Sequence, residues 1–475
     1  MSNFSLSIGG VVGKDKAADA TTPKLNVGCL FDHFSGRYTP GKHGEQILNG
    51  GFSYINAVVG ENNQFKSTLS DYFMLKAQEN YYAATNSFYY ETEGSKDVSG
   101  LMYRASRCPK IQAEGMEEND KFFFSNMLKM SGNAYWDIRK EYGDAKTDKK
   151  NKVGLLTTPF VNVDGSPITM VPPTLEEIDS WSMMSFDAIE QKFGDVEIGH
   201  KDNNMMFMND GRFKTQIMMQ MPSLNGRHSM FTFMTAHIGS KVNMDPNAPP
   251  SKIMADLAAG KGLKNATEKF TFVPNNMWMV HKRTPLTDSN RIPIYGRGEA
   301  GSKDDKDLVK VSCMNLRGKF GQSGAPFELI FSQTEGLQEH LTLLHYLRDT
   351  NKYWGMDSNN TNMSLLMYPE VKFTRNAIRD KIDEDYKLRR ALELTAGMCQ
   401  IGNFMWYLGP HVTMPPAEVI AKVKEQGYDI DELLETTRGY WQFEEIKEEK
   451  HYLSALDFIN IAAGKYQPYW MKKKK

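Results

Sequence analysis

The sequence lacks the features that mark exported, disulfide-stabilised and membrane-spanning proteins. It has only four cysteines, which lie far apart without a paired spacing, so neither a disulfide framework nor a zinc site is favoured. The apolar runs are shorter than the roughly 18 residues that a membrane helix needs. The first residues, MSNFSLSIGGVVGKDK, lack an apolar signal segment followed by a cleavage site. These absences lead us to expect a cytoplasmic protein with no membrane partner.

The sequence also lacks an excess of charge of either sign. Its 57 lysines and arginines are balanced by 58 aspartates and glutamates, which gives a formal net charge of −1. Because no whole-molecule field attracts nucleic acid, a nucleic-acid contact has to come from a local basic surface. The length of 475 residues and the 40% share of hydrophobic residues are enough for one large core with smaller appended parts.

Short apolar runs alternate along the chain with segments of helical periodicity. Strands are predicted at residues 52–59, 87–92, 230–235 and 270–280, and one more ends at residues 178–180. This alternation is typical of a largely parallel sheet, so the predicted fold class is α/β. The predicted parts are a flexible N-terminal arm (1–35), an α/β core (36–337) and a mainly helical C-terminal region with a basic tail (338–475).

A phosphate-binding loop is predicted between the first strand and the helix that follows it. Its pattern ends in a lysine and two hydroxyl residues, with a phenylalanine where the last glycine usually stands. The residues predicted to bind nucleotide are Gly60, Glu61, Asn62, Asn63, Gln64, Phe65, Lys66, Ser67 and Thr68. Backbone N–H groups would surround the phosphates of ATP at the helix N-terminus. Lys66 would neutralise the terminal phosphates, and Ser67 would hold Mg²⁺.

The loop also carries a resemblance to a known family. Residues 60–67 resemble the phosphate loop of UvsX-type recombinases of tailed phages, RecA relatives whose loop likewise ends in Phe-Lys-Ser. In the same order, Tyr90-Glu91-Thr92-Glu93 resembles their strand with a catalytic glutamate, and Ile178-Asp179-Ser180 their Walker B end. Later matches are Thr235-Ala236-His237, His281-Lys282-Arg283 and residues 316–336. The resemblance covers about residues 36–337 and implies a RecA-type ATPase core.

Two carboxylates suit the hydrolysis of a phosphoanhydride. Glu93 fits a general base or a water-positioning group aligned with the γ-phosphate, and Glu91 is its close competitor. Asp179, at a strand end, fits a direct or water-mediated ligand of Mg²⁺, with Glu177 as the alternative. The residues before Asp179 are more polar than a buried central strand should be, which leaves the strand's register open. Glu93 could instead be a solvated carboxylate at a strand end.

Three further residues receive roles from the resemblance alone. His237 would sense the γ-phosphate and report to the DNA-binding loops, although a single histidine is ordinarily a hydrogen-bonded structural residue. Lys282 and Arg283 would reach the nucleotide of a neighbouring subunit and stabilise transition-state charge, as arginine fingers do. Alternatively, Lys282 and Arg283 are solvated residues at a strand end. Their action on a neighbouring subunit would imply a homo-oligomer.

Two long segments are candidate DNA-binding loops. The first, residues 201–214, combines a Met-rich run with Arg212 and Lys214. The second, residues 239–267, carries Lys241, Lys252, Lys261 and Lys264. Basic groups would contact phosphates, and apolar side chains would stack or wedge between bases. Loops of this length are usually functional or disordered, and DNA binding is the function we expect here.

These features together predict a DNA-dependent ATPase of the recombinase type. It would assemble with ATP and Mg²⁺ on single-stranded DNA as a helical filament and promote pairing with homologous double-stranded DNA. The resemblance favours a phage protein that acts in the host cytoplasm. The main alternative is a hexameric RecA-type helicase, which would use the same motifs in a closed ring. A third hypothesis, a scaffold that binds nucleotide only as an assembly switch, is disfavoured by the pair Glu93 and Asp179.

Overall fold

The computed structural model describes most of the chain. The described residues are 21–94, 96, 98–114, 121–126, 130–195, 203–240, 252–254, 256–297, 306–319, 321–359 and 362–471. Residues 1–20 of the predicted arm, Lys201, Lys241 and the basic tail at 472–475 lie outside them. Within the described ranges, the helices are too short or too polar to cross a membrane.

The described residues form a mixed α/β fold. The strands are β1 (Arg37–Pro40), β2 (Gln46–Asn49), β3 (Ile55–Gly60), β4 (Asn86–Glu91), β5 (Phe122–Asn126), β6 (Leu156–Val161), β7 (Pro167–Met170), β8 (Thr174–Asp179), β9 (Met230–Ser240), β10 (Lys261–Leu263), β11 (Asn276–Pro285), β12 (Leu308–Gly318), β13 (Pro326–Ser332), β14 (Gly336–Leu337), β15 (Met356–Ser358), β16 (Met363–Leu365), β17 (Tyr368–Phe373), β18 (Thr437–Arg438) and β19 (His451–Tyr452). The helices are α1 (Phe31–Ser35), α2 (Lys66–Asn80), α3 (Val98–Ala105), α4 (Pro109–Glu114), α5 (Gly132–Thr147), α6 (Asp187–Asp195), α7 (Asn203–His228), α8 (Glu339–His345), α9 (Ile378–Glu384), α10 (Tyr386–Phe404), α11 (Pro416–Glu425), α12 (Ile430–Thr436) and α13 (Ala455–Ala462).

A large, mostly parallel sheet organises the fold. Its strand order is β5-β4-β8-β9-β3-β11-β12-β13-β14, and β10 pairs with the end of β9. The strands from β5 to β11 in this order run parallel, whereas β12, β13 and β14 continue antiparallel. The predicted α/β class with a largely parallel sheet is therefore confirmed. Parallel strands end at the same edge of a sheet, so residues at their carboxyl ends are brought together.

The central strand β3 is buried along its whole length and packs on both faces. Val58 belongs to an apolar cluster that includes Phe73 of α2. Val59 belongs to a second cluster that includes Met218 of α7. Each fully buried aliphatic side chain of this kind contributes about 1.5–3 kcal/mol. The continuous apolar run in β3 follows from helices covering both faces of the sheet.

Strand β8 explains why the polar run before Asp179 still forms a central strand. All six of its residues are buried. Glu176 accepts hydrogen bonds from Arg139 at 3.0 Å and from Thr232 at 2.6 Å. Glu177 pairs with Lys96. Buried charges are tolerated when they are paired and hydrogen-bonded, so partners from elsewhere in the chain offset the polarity of β8.

The predicted strand at residues 270–280 begins too early. Phe270 belongs to a 3₁₀ turn, Glu268–Thr271, and β11 begins at Asn276. Pro274 lies between them and has no N–H group to donate to a strand ladder. At its other end, β11 continues beyond the predicted limit to Pro285.

The two predicted end regions join the central core. The arm predicted for residues 1–35 needs correction in its second half, because Leu25 and Phe31 are fully buried. Trp441 Nε1 donates a 2.9 Å hydrogen bond to the carbonyl oxygen of Lys24. Buried apolar residues on both sides of residue 337 belong to one cluster, so no gap between cores marks the predicted boundary there.

Candidate nucleotide-binding and catalytic site

The phosphate-loop motif lies between the end of β3 and the start of α2. Gly60 is the last strand residue, and a Cβ atom there would lie 2.6 Å from the carbonyl oxygen of Val280 in β11. Phe65 immediately precedes α2 and has φ 62° and ψ 27°, the left-handed conformation. This conformation normally favours glycine. The phenylalanine therefore adopts the turn that the missing glycine would have made without strain.

The Phe65 ring connects the loop to two neighbouring strands. Its centroid lies 5.0 Å from that of Phe331 in β13. The guanidinium carbon of Arg283, in β11, lies 5.2 Å from the same ring. Aromatic packing and a cation–π contact therefore fix the end of the loop through a side chain that glycine lacks.

Lys66 begins α2 and directs its ammonium group into the loop. Its Nζ donates a 2.8 Å hydrogen bond to the carbonyl oxygen of Glu61, and the residue is buried. Burial lowers the pKa of Lys66, and the negative charges of Glu93 and Asp179 oppose that shift. One cation and two carboxylates are thus within electrostatic reach of each other. Lys66 is the first residue of a 15-residue helix, where backbone N–H groups and the helix dipole favour anions.

The structure separates Glu91 from Glu93 at the end of β4. Glu91 is buried, and its two carboxylate oxygens accept hydrogen bonds from the backbone N–H groups of Glu93 and Gly94 at 2.8 and 2.7 Å. It therefore shapes the turn after the strand. The Glu93 side chain is 27% exposed, and its Oε1 lies 2.7 Å from Nε2 of His237. This geometry favours Glu93 as the carboxylate that faces a bound nucleotide.

A hydrogen bond from His237 lowers the pKa of Glu93. The hydrogen bond from His237 is the largest cause that lowers the pKa of Glu93 to about 2, and the charge of Lys66 acts in the same direction. A carboxyl group with this pKa is ionised at neutral pH and is a weak base. Glu93 is therefore better suited to orienting an attacking water than to removing its proton completely.

Asp179 lies beside Glu91 at the same edge of the sheet. Its Oδ1 accepts a 2.5 Å hydrogen bond from Oγ1 of Thr235, and its carbonyl oxygen accepts one from the N–H group of Thr92 at 2.7 Å. The competitor Glu177 is held in its ion pair with Lys96. A hydroxyl from Ser67 and a carboxylate from Asp179 are oxygen donors, which Mg²⁺ prefers, so the residues present fit this metal.

Lys282 and Arg283 lie just beyond Val280, which is level with Gly60 in the sheet. Both side chains are exposed. Lys282 has φ 49° at a β-bulge, where β11 shifts register against β12. Arg283 donates a hydrogen bond to Gln333 in addition to its contact with the phosphate loop of its own chain. Action of either residue on a neighbouring subunit stays a prediction.

The first candidate DNA-binding segment differs from the prediction. Residues 203–214 belong to α7, so they form a helix and not a loop. Lys214 is buried, and its Nζ donates to the carbonyl oxygen of Asn265 at 3.1 Å and pairs with Asp210 at 3.0 Å. Lys214 therefore stabilises the packing of α7, and we withdraw its predicted contact with DNA phosphate. Arg212 is exposed on the same helix.

The second candidate segment starts and ends in a β-hairpin. Strand β9 extends to Ser240, and β10 returns antiparallel to it. Lys261, at the start of β10, forms a 2.9 Å ion pair with Glu61 of the phosphate loop. Lys252 and Lys264 are exposed. The base of this segment therefore contacts the loop predicted to bind nucleotide.

Sequence reasoning missed the polar residues that hold the carboxylates in place. Oγ1 of Thr92 donates to the carbonyl oxygen of Ser180 at 2.9 Å and accepts from its N–H group at 2.7 Å. Lys96 contacts Asp71 of α2 and Glu177 of β8. No local pattern reveals these contacts, because their partners are distant in sequence.

A cavity of about 830 Å³ lies along α2, and the candidate catalytic residues do not line it. Its charged groups pair with each other, as Lys76 does with Glu339 at 3.1 Å and Arg390 with Glu393 at 2.8 Å. Ligand atoms of Glu339, His340 and Glu393 lie within 4.8 Å of one another. Because cations already neutralise both glutamates, this cluster is best described as a polar contact between α2 and the C-terminal region.

Many solved structures match this chain, and a crystal structure of the RadB recombinase is one of them. It has 13% sequence identity, covers 61% of this chain and 93% of its own chain, and has a TM-score of 0.32. No protein-family model and no curated protein matches the sequence. A likeness this weak does not assign an activity, so the function has to be inferred from the residues at the sheet edge.

Proposed function

We propose that this chain is a RecA-type, DNA-dependent ATPase that acts as a recombinase. The observation that carries the proposal is the gathering of a phosphate loop and polar side chains at the carboxyl edge of a parallel sheet. Gly60 is level with His237 and Val280, and Glu91 is level with Asp179. In open α/β sheets, ligands bind outside this edge.

In the proposed reaction, ATP lies along the loop with its phosphates at the N-terminus of α2. Lys66 neutralises charge on the terminal phosphates. Ser67 and Asp179 would hold Mg²⁺, which would supply positive charge near the phosphates when bound. Glu93, oriented by its hydrogen bond with His237, positions the water that attacks the γ-phosphate.

The proposed DNA contacts are cations of the two candidate segments. Arg212, Lys252 and Lys264 are exposed and Lys261 is partly exposed, and Lys241 is a further candidate outside the described residues. Lys261 offers a physical connection between DNA and nucleotide, because a DNA phosphate would compete with Glu61 for its ammonium group. Because Glu61 belongs to the phosphate loop, loss of this ion pair on DNA binding would alter a contact of the loop itself.

The hexameric helicase remains the second candidate, since a ring would use the same residues at the nucleotide. Electron microscopy with single-stranded DNA and a non-hydrolysable ATP analogue separates the two. Open helical filaments of the wild type, absent for Lys66→Ala, are the expected result. Closed rings would favour the helicase. If wild-type chains bind the analogue but do not assemble, both the recombinase and the helicase are contradicted.

A subunit-mixing experiment tests the proposed trans role of Lys282 and Arg283. A Lys282→Ala/Arg283→Ala chain should still bind ATP, because Phe331 continues to pack on Phe65 of its phosphate loop. It should hydrolyse ATP poorly, since both residues are proposed to act on the nucleotide in the phosphate loop of the other subunit. Mixing it with a Lys66→Ala chain creates some interfaces with both halves intact. Partial recovery of hydrolysis is expected, although each parent alone is inactive. Co-assembly on DNA, shown by light scattering, without recovery would return both residues to a solvated strand end.

A further inference from the structure

We infer that Lys96 is a positioning residue that fixes the turn carrying Glu93 by binding α2 and β8 through one ammonium group. The inference rests on the proposed ATPase function, because Glu93 has a role to be positioned for only if ATP is hydrolysed at this edge. Nothing in the sequence motifs pointed to Lys96, which lies three residues after Glu93.

The Lys96 side chain contacts three elements at once. Its Nζ lies 2.5 Å from Oε2 of Glu177 in β8 and contacts Oδ1 of Asp71 in α2. The same atom lies 5.5 Å from the ring centroid of Tyr89 in β4. The side chain is 7% exposed. Burial opposes the charged form, but the two carboxylates raise the pKa of Lys96 above its ordinary value, so it remains a cation.

The two carboxylate partners belong to the elements that carry the proposed Mg²⁺ ligands. Asp71 lies one helical turn after Ser67 in α2. Glu177 lies two residues before Asp179 in β8, on the same face of the strand. Through its two ion pairs, Lys96 therefore connects the chain just after Glu93 to both of these elements.

Attachments lie on both sides of Glu93 in the sequence. Before it, Glu91 accepts hydrogen bonds from the N–H groups of Glu93 and Gly94. Gly94 has φ 68°, a left-handed conformation that reverses the chain here. After Glu93, the ion pairs of Lys96 hold the chain against α2 and β8. Removing the Lys96 attachment leaves the backbone fixed only before Glu93, through Glu91 and Thr92, with His237 as the partner of the Glu93 side chain.

Arg104 in α3 provides a matched control for charge. It also contacts Asp71, from a side chain that is 25% exposed. Unlike Lys96, it lies on a separate helix and not on the Glu93 turn. If Lys96 merely neutralised buried carboxylates, Arg104→Met would lower ATP hydrolysis as much as Lys96→Met does. If Lys96 positions Glu93, only Lys96→Met should lower ATP hydrolysis strongly.

A double-mutant cycle tests the inference through kcat and KM for ATP with saturating single-stranded DNA. Misplacement of a reacting group by about 1 Å costs about 100-fold, so Lys96→Met should lower kcat by about ten- to hundredfold. Its KM should stay within about twofold, since the phosphate loop is intact. The Lys96→Met/Glu93→Gln chain should be no slower than Glu93→Gln alone, because both changes act through one side chain.

Other outcomes overturn the inference in distinguishable ways. Additive losses in the double variant would mean that Lys96 acts elsewhere, and an equal loss in Arg104→Met would assign it to charge neutralisation. A wild type that hydrolyses no ATP would contradict the proposed function itself. If Lys96→Met lacks a cooperative thermal transition, Lys96→Met/Glu177→Met removes the buried pair together, which is often tolerated. This folded variant should show the same loss of kcat, and a wild-type kcat would overturn the inference.

Discussion

Phe65 leads to a stability prediction in which glycine is better than alanine. A left-handed conformation costs a residue other than glycine about 1–2 kcal/mol. Phe65→Ala keeps this cost and loses the ring contacts with Phe331 and Arg283. Phe65→Gly loses the same contacts but also removes the conformational cost.

The magnitudes of these terms determine the order of stability. The aromatic pair contributes about 0.5–1.5 kcal/mol and the cation–π contact about 0.5–1 kcal/mol, so Phe65→Ala should lower the free energy of unfolding by about 1–2.5 kcal/mol. Glycine recovers the left-handed cost of about 1–2 kcal/mol but loses about 0.4–1 kcal/mol through the greater freedom of the unfolded chain. Taking the middle of each range, Phe65→Gly should be about 0.8 kcal/mol more stable than Phe65→Ala.

Urea unfolding followed by tryptophan fluorescence measures this difference. Ala421, exposed in the middle of α11, provides the control, because Ala421→Gly should lower the free energy of unfolding by about 1 kcal/mol. Glycine is thus unfavourable at the control position and favourable at Phe65. If Phe65→Ala were as stable as Phe65→Gly, the left-handed conformation would not be the cause of strain in this loop.

Three further predictions follow from the contacts of single residues. Glu93→Gln should lower the rate of ATP hydrolysis by about 10²–10⁴-fold without changing the thermal midpoint. Glu91→Gln should lower the thermal midpoint, because an amide has only one oxygen for the two backbone donors that Glu91 binds. The reverse pattern would exchange the roles of the two residues. Lys214→Met should lower the free energy of unfolding by about 1–3 kcal/mol, because it leaves buried acceptors unpaired. Arg212 is exposed on the same helix, so Arg212→Met should change this free energy by less than about 0.5 kcal/mol. Equal unfolding midpoints for the two variants would contradict the prediction. Burial opposes the charged form of His345, but its ion pairs with Asp349 and Glu328 raise its pKa. The stabilisation from these ion pairs is therefore full below about pH 6.5 and is lost as pH rises through the folded-state pKa. The urea-midpoint difference between wild type and His345→Gln should therefore shrink with rising pH, and a constant difference would contradict it.

Local patterns predicted the parts of the fold that depend on nearest neighbours in sequence. The apolar run before Gly60 and the helical spacing after Lys66 predicted the strand and helix on either side of the phosphate loop. The order of strands in the sheet needed the structure, because β4 pairs with β8 across more than 80 residues. The carboxyl ends meet only once that order is known.

Contacts between distant residues explain where the sequence misled. The polarity of β8 suggested a short strand, but Arg139 and Lys96 supply buried partners for Glu176 and Glu177. Lys214 looked like a solvent-exposed cation in a Met-rich loop. The carbonyl oxygens of Ser182 and Asn265 accept hydrogen bonds from its buried ammonium group, and no local pattern connects either residue to it.

The central claim is that the edge of the parallel sheet hydrolyses ATP in response to DNA. The most direct measurement compares ATP hydrolysis by wild type and Lys66→Ala, with and without single-stranded DNA. We expect DNA to stimulate the wild type, and Lys66→Ala to lose at least about 100-fold in rate at an unchanged thermal midpoint, since its side chain supplies charge to the phosphates and little to the core. Equal rates for the two chains, or no hydrolysis by the wild type with DNA present, would contradict the claim.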